Sequence, residues 1–261
     1  MIISVPHMVS KEDRVRQSSS NLYGNDPQTF RSDYTPWKPG IPQLLLVEQP
    51  VPASTVLPHY HSQDQFQIFL DGGGRLGRQE IKPISIHYTN RYTGYGPIVA
   101  GEQGVSYYVL RPEYDTLVTG QYLHVPGMRE KLKSQKTNRK AVTINEVALR
   151  SSEELLEIKG WHCDRVIDCV ADPLDEGLFA DVLCMGPHAE YRVSHPNLGG
   201  GQMIVLLKGS VCCSGEHYSG RSAMALTADE SPVSLKTEDS GAQILVLQYP
   251  KRPKKDPLSL G

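Results

Sequence analysis

The chain has 261 residues, 39% of them hydrophobic and 21% charged, and its formal net charge at pH 7 is -2. This composition is typical of a globular protein that buries a full core, and the weak net charge argues against binding to nucleic acid. No run of residues approaches the roughly 18 consecutive apolar positions that a membrane-spanning helix needs. We therefore expect a globular protein whose partners include neither nucleic acid nor a membrane.

The N-terminal segment and the cysteines bear on the cellular compartment. Met1–Val5 is apolar but stops at Pro6, so it lacks the long apolar stretch of a signal peptide. Five cysteines are present, an odd number, and none forms a Cys-x-x-Cys pair. We expect reduced, buried thiols and a cytoplasmic protein.

The first half of the chain changes character near residue 40. Residues 1–40 are rich in Ser, Asn, Asp and Pro, and we interpret them as an irregular N-terminal arm. Residues 41–125 contain short runs of β-branched, aromatic and leucine residues between prolines and glycines, for example Gln43–Val47, Phe66–Leu70 and Tyr107–Leu110. Many short strands separated by turn residues predict an all-β sandwich or barrel.

The second half begins with a polar connection, residues 126–174. Its stretch Met128–Lys140 has the composition of an exposed loop. One short helix is predicted over Ser151–Lys159, because a serine can cap it and Glu153 and Glu154 lie in its first turn. A second strand-rich zone covers residues 175–250, and residues 251–261 form a basic tail that we expect to be solvated.

The two strand-rich zones resemble each other in sequence. Gln65 is followed by six residues and then Gly72, and Gln202 is followed by six residues and then Gly209. Two weaker matches occur in the same order: Pro52 and His59 with Pro187 and Ser194, and Ile98–Glu102 with Leu226–Glu230. Three matches in one order predict an internal duplication of roughly 130 residues, which is a repeat of a whole barrel.

The segment His59-Tyr60-His61 is the best candidate site for chemistry. On a β-strand, residues i and i+2 point to the same face, so two imidazoles inside a barrel can reach one metal ion. Gln65 lies four residues further on and can add an oxygen ligand. Imidazole and oxygen donors together suit several divalent transition metals and do not choose among them.

These residues resemble the first motif of the cupin superfamily. That motif has a glycine, five residues, His-x-His, three or four residues, a glutamate, six residues and a glycine. The chain keeps the spacing throughout, with Ala53 for the first glycine and Gln65 for the glutamate. The best match to the second motif is Val99–Gly104, in which Gly104 stands where the family has a metal-binding histidine.

The resemblance implies an all-β fold of two tandem cupin barrels, each a double-stranded β-helix or jelly roll, and thus a bicupin that forms a homodimer. It also implies a divalent metal ion, Fe, Mn, Ni or Zn, held in the first barrel by His59, His61 and Gln65. His87, on a neighbouring predicted strand, is a candidate replacement for the missing histidine, and the alternative is a hydrogen-bonded core histidine. In the second repeat the two histidine positions fall on Ser194 and Pro196, so we expect no metal there.

A tyrosine-rich stretch, Tyr88–Pro97, supplies candidate substrate-binding residues. Arg91 and Tyr92 can bind an anionic or aromatic molecule by hydrogen bonds and stacking. Tyr107 and Tyr108 alternate on a predicted strand, so one of them should face the barrel interior, and Tyr107 is the third candidate. The alternative for this stretch is an edge strand or a dimer contact.

Two functional hypotheses follow from the resemblance. The first is a metal-dependent enzyme of the oxygenase type acting on a small organic acid or aromatic compound, with isomerase or lyase chemistry as the next choice. The second is a non-catalytic cupin that binds a small ligand or acts as a structural or interaction protein. The replacement of the second-motif histidine by Gly104 favours the second hypothesis.

Overall fold

The computed structural model describes residues 3–5, 15–18, 29–36, 38–115, 120–135, 137–169 and 172–252. The apolar runs singled out in the sequence all lie in strands, because alternating and β-branched residues pack well on a pleated surface. The strands of the first part of the chain are β1 Ile3–Val5, β2 Val15–Ser18, β3 Phe30–Asp33, β4 Gln43–Gln49, β5 Thr55–Val56, β6 His59–Tyr60, β7 Gln65–Leu76, β8 Gln79–Ile81, β9 Ser85–Thr89, β10 Ile98–Arg111, β11 Gln121–Tyr122 and β12 Ala141–Ile144. The strands of the later part are β13 Trp161–Asp168, β14 Phe179–Met185, β15 Glu190–Arg192, β16 Gln202–Cys213, β17 Glu216–Ser219, β18 Ala223–Leu226, β19 Ser234–Lys236 and β20 Ala242–Gln248.

Within the described residues these strands form two nine-stranded sheets, which curl in the manner of β-barrels. The first barrel has the order β12-β9-β7-β10-β4-β3-β2, with β5 paired to β10 and β8 paired to β7. The second barrel has the order β1-β18-β16-β20-β14-β13, with β17 and β19 paired to β16 and β15 paired to β19. Strands β6 and β11 form a separate pair at the first barrel. The all-β prediction is confirmed.

Helices are few and short in the described residues. Helix α1 spans Met128–Ser134, in the stretch expected to be a loop. Helix α2 spans Ser152–Glu157, where a helix was predicted. It begins at a capping box, in which the Ser151 side chain accepts from the Glu154 backbone N–H and the Glu154 side chain accepts from the Ser151 N–H. A single 3-10 turn spans Pro196–Leu198.

Strands outside the predicted zones complete both barrels. The expected irregular arm contains β2 and β3, which extend the first sheet, and β1, which pairs with β18 of the second. The expected linker contains β12 of the first sheet and β13 of the second. Backbone pairing explains why composition did not predict these strands. The edge of a sheet has free N–H and C=O groups, and a polar segment can pair with them although its side chains show no strand pattern.

The predicted repeat is partly reproduced. Gln65 lies opposite Thr89, and Gln202 lies opposite Leu226 in the same way. Leu226 therefore corresponds to Thr89 at the end of a strand, whereas Ile98 begins the next long strand. The sequence match of Ile98–Glu102 with Leu226–Glu230 was thus wrong, because it joined a strand start to a strand end.

One hydrophobic cluster joins the two barrels. It contains residues from outward faces of both sheets, for example Phe66, Ile68 and Leu110 from the first and Val205 and Leu247 from the second. All five are fully buried. The barrels therefore pack on each other through their apolar outer faces, which leaves each barrel interior as a separate region.

The start of the basic tail is not solvated as expected. Arg252 donates to both carboxylate oxygens of Asp64 in the first barrel, at 2.8 and 3.0 Å, and to Asp175 at 3.0 Å. Both of these aspartates are buried. The neighbouring Lys251, in contrast, forms an exposed ion pair with Glu176. Residues 253–261 lie outside the described part. None of the described helices is long and apolar enough to cross a membrane.

Candidate ligand pocket of the first barrel

A small pocket lies inside the first barrel and encloses about 10 Å³, about the space of one water molecule. Side chains that alternate inward along β3, β4 and β10 form much of its wall. The lining residues are Arg31, Leu45, Val47, Val56, His59, His61, Gln67, Tyr95, Tyr107, Val109 and Arg111. The structure therefore brings His59 and His61 to one pocket, with ring centroids 5.1 Å apart.

Both ring nitrogens of His59 are engaged by the protein. Nδ1 lies 2.7 Å from the Leu57 carbonyl oxygen, which can only accept, so Nδ1 carries the proton. Nε2 then accepts from the Tyr95 hydroxyl at 2.8 Å. Burial lowers the pKa of His59 to about 3, with His61 as a second cause, so the ring is neutral near pH 7.

His61 is held between a carboxylate and a guanidinium. Its Nδ1 donates to Asp115 Oδ2 at 2.5 Å, and its Nε2 accepts from Arg111 Nη2 at 3.1 Å. Burial, followed by the charge of Arg111, lowers the pKa of His61 to about 4. Burial alone would raise the pKa of Asp115, but the hydrogen bond from His61 and the charge of Arg111 hold it below its ordinary value. The pair is therefore a neutral imidazole and an ionised carboxylate.

Arg111 is the centre of this network. Its Nε donates to Gln65 Oε1 at 3.2 Å and its Nη1 donates to Gln43 Oε1 at 3.0 Å, in addition to the contact with His61. Gln43, Gln65 and Arg111 are neighbours because β4, β10 and β7 pair at their ends. The side chain is buried, so its charge acts at low dielectric.

The residues present do not fit a divalent metal ion. The nitrogens of His59 and His61 and the side-chain oxygen of Gln65 are all used in hydrogen bonds, and the Arg111 guanidinium lies where a shared ion would contact His61 and Gln65. A fixed positive charge at that position repels a cation. His87 lies beside Tyr95 of the pocket, with ring centroids 5.7 Å apart, but the described residues contain no group of three or more His, Cys, Asp or Glu placed to hold a metal.

Backbone geometry explains why Gly104 replaces the second-motif histidine. Gly104 has a φ of 73° at a bulge in β10, where the pairing with β7 shifts register. A Cβ at this position would lie 2.7 Å from the Gln49 carbonyl oxygen. Any side chain is therefore excluded here, and Gly104 is not among the residues that line the pocket.

The three predicted substrate-binding residues separate in the structure. Of the alternating pair Tyr107 and Tyr108, Tyr107 lines the pocket. Arg91 and Tyr92 lie in the turn after β9 and are not part of the lining; the Arg91 backbone N–H donates to Asp64, and the Tyr92 ring packs near Tyr60 with centroids 6.3 Å apart.

Sequence reasoning missed Arg31, Arg111 and Asp115, and it included Tyr95 only as a member of the stretch Tyr88–Pro97. A signal existed for Arg111, because a charged residue directly follows the apolar run Tyr107–Leu110 at the end of a central strand. An arginine at such a position is almost never buried unless it has a partner, so it points to a polar site. No comparable signal identifies Asp115, whose role depends on the chain returning to His61.

No protein-family model and no curated protein matches the chain. Solved structures do match. An oxalate decarboxylase from Bacillus subtilis, studied for its Mn(II) centres, superposes with a TM-score of 0.59 at 11% identity, over 96% of this chain and 78% of that one. A candidate dioxygenase from Nostoc punctiforme superposes with a TM-score of 0.60 at 10% identity, over 97% of this chain and 85% of that one. At such identities the likeness shows the fold alone, and that fold is the all-β cupin fold that the His-x-His spacing implied.

Proposed function

We propose that this protein is a bicupin whose first barrel binds a small organic anion without a metal ion. The observation that carries the proposal is the Arg111 guanidinium, which lies 3.1 Å from His61 Nε2 and lines the same pocket. In this barrel an arginine takes the role that a cation has in the metal-binding hypothesis. This is the non-catalytic, ligand-binding alternative that Gly104 favoured.

The charges of the pocket wall support an anionic ligand. Arg31 and Arg111 both line the pocket, and the lining residues include no carboxylate. Asp33 is bound to Arg31 at 2.8 Å and Asp115 is bound to His61, so both carboxylates lie behind the wall. The two guanidinium groups face the pocket while the two carboxylates lie behind it, so the wall presents cationic N–H groups that favour a carboxylate ligand through charge-assisted hydrogen bonds.

The size of the pocket restricts the ligand. A volume of about one water is smaller than any carboxylate, so wall side chains move outward when the ligand binds. Gly120 packs directly on the two histidines, since a Cβ there would lie 2.7 Å from His59 Cδ2 and 3.2 Å from His61 Cε1. The pocket therefore suits only small molecules.

Calorimetric titration of the purified protein with acetate and with acetamide, its neutral analogue, tests the proposal. We expect acetate to bind and to raise the melting temperature by mass action, and acetamide to do neither. Arg111→Gln should weaken acetate binding at least about tenfold. Arg165→Gln, in the second barrel, is the matched control and should bind acetate normally. The proposal fails if formate, acetate and glycolate all leave the wild-type protein unaffected.

The second candidate is a metal-dependent oxygenase acting on a small organic acid or aromatic compound, and the convergence of His59 and His61 on one pocket favours it. It requires Fe, Mn, Ni or Zn in the purified protein after supplementation, measured by elemental analysis. It also requires that the metal be lost in the double variant His59→Ala His61→Ala. Stoichiometric metal with that dependence would overturn the metal-free proposal. A cytoplasmic location and a homodimer remain predictions.

A further inference from the structure

Two buried polar atoms at the first-barrel pocket lack a hydrogen-bond partner among the described residues. They are Nε2 of His87 and Oε1 of Gln67. His87 is 3% exposed and Gln67 is 1% exposed, so water outside the barrel does not reach them. Buried polar atoms in folded proteins are almost always paired, and each exception calls for a bound water or ligand.

The two atoms belong to one place in the barrel. Gln67 on β7 and His87 on β9 are directly opposite each other, so their side chains lie on the same face. Gln67 lines the pocket, and the His87 ring centroid lies 5.7 Å from that of Tyr95, another lining residue. The other nitrogen of His87 is 2.8 Å from Thr143 Oγ1, which fixes the ring orientation.

The distance of His87 and Gln67 from Arg111 suits a ligand that has two polar groups. Gln67 is two residues beyond Gln65 on the same face of β7, and Gln65 accepts from Arg111. Two residues along a strand span about 7 Å. A molecule with a carboxylate at Arg111 and a polar group a few ångströms away can therefore reach both ends.

We propose that His87 and Gln67 bind a hydroxyl group, so that the ligand of the first barrel is a small hydroxycarboxylate. This inference rests on the anion-binding function proposed above. A hydroxyl both donates and accepts, so it can pair with the amide oxygen and with His87 Nε2 whichever ring nitrogen carries the proton.

Matched pairs of ligands test the hydroxyl site without any substitution. Glycolate differs from acetate, and lactate from propionate, by one hydroxyl group. We expect the wild-type protein to bind each hydroxy acid about tenfold more tightly than its partner in calorimetric titration. Equal affinities within each pair would overturn the hydroxyl site while leaving the anion-binding function intact. Absence of binding by all four acids would instead overturn that function.

The second barrel supplies conservative substitutions, because Ile204 and Met224 occupy the positions of Gln67 and His87 there. Gln67→Ile and His87→Met should each remove most of the preference for glycolate over acetate, measured as the ratio of the two dissociation constants. Arg111→Gln should weaken both acids together. A variant that keeps the full preference for glycolate, with an unchanged circular dichroism spectrum, would contradict the hydroxyl site.

Discussion

The two barrels share one framework but differ in what fills them. Gln65 pairs with Arg111 across the strands of the first barrel, and Gln202 donates to Gln248 at 2.7 Å in the second, with the same separation of 46 residues in each. The close approach of two glycines also recurs, since a Cβ at Gly72 would lie 2.1 Å from Gly104 O and one at Gly209 would lie 2.0 Å from Gly241 O.

The interiors are different in polarity at equivalent positions. Gln67, His87 and Tyr107 in the first barrel correspond by strand register to the apolar residues Ile204, Met224 and Ile244 in the second. The second interior is a continuous hydrophobic cluster that includes all three of these apolar residues. The second barrel therefore closes with apolar side chains at these three positions, so the fold does not require their polar counterparts in the first barrel, which supports the binding role proposed for them.

The largest effect is expected where the polar network of the first barrel is broken. Asp115→Ala removes the acceptor of His61 and Ser62 and leaves the buried Arg111 without its nearby negative charge. We expect a loss of about 4 kcal/mol in the free energy of unfolding, measured by urea denaturation. Asp181→Ala is the matched change in the second barrel, where the partner Arg165 reaches solvent, and it should cost roughly 1 kcal/mol. Equal losses would show that the two networks are equivalent.

Reciprocal substitutions test the difference in polarity directly. Met224→His places a polar ring in the hydrophobic interior of the second barrel and should cost about 3 kcal/mol of unfolding free energy. His87→Met removes a ring whose Nε2 is already unpartnered, so its cost should stay within about 1 kcal/mol. Comparable losses from the two changes, measured in the same urea titrations, would refute the view that only the first interior is adapted to a ligand.

The contact between the barrels is the next target. Arg252→Gln removes a charge that pairs with the buried carboxylates of Asp64 and Asp175, and it should lower the unfolding free energy by about 2 kcal/mol. Lys251→Gln changes the exposed neighbour, whose pair with Glu176 should be worth less than about 0.5 kcal/mol. If the two substitutions have the same small effect in thermal unfolding, the C-terminal segment does not fasten the barrels together.

Local sequence patterns were sufficient to predict the framework of the barrels and about half of the pocket. Strand alternation placed His59 and His61 together, and the recurring glutamine and glycine spacing revealed the duplication. The position of Arg111 opposite Gln65 depends on the register of two strands 46 residues apart, which no local pattern specifies. Arg252 is more extreme, since its partner Asp64 is 188 residues away and its neighbours in sequence look like a solvated tail.

The smallest of these effects concerns pH. Burial lowers the pKa of His87 to about 3 from its ordinary value of 6.5. Between those values the unfolded chain binds a proton that the folded chain does not, so stability is fully present above about pH 6.5 and falls as the pH drops below it. Each such histidine contributes a slope of about 1.4 kcal/mol per pH unit.

His59 and His61, whose pKa values burial also lowers, act in the same direction and lie in the same barrel. The acid sensitivity that histidines cause should therefore reside in the first barrel. His87→Met should reduce the loss of unfolding free energy between pH 6 and pH 5 by about 1.2 kcal/mol, measured by urea denaturation at each pH. Carboxylates titrate in both proteins and cancel in this difference. If the unfolding free energies of the variant and the wild type change with pH in parallel, His87 is not buried as a neutral ring. The difference in polarity between the two interiors would then rest on Gln67 and Tyr107 alone.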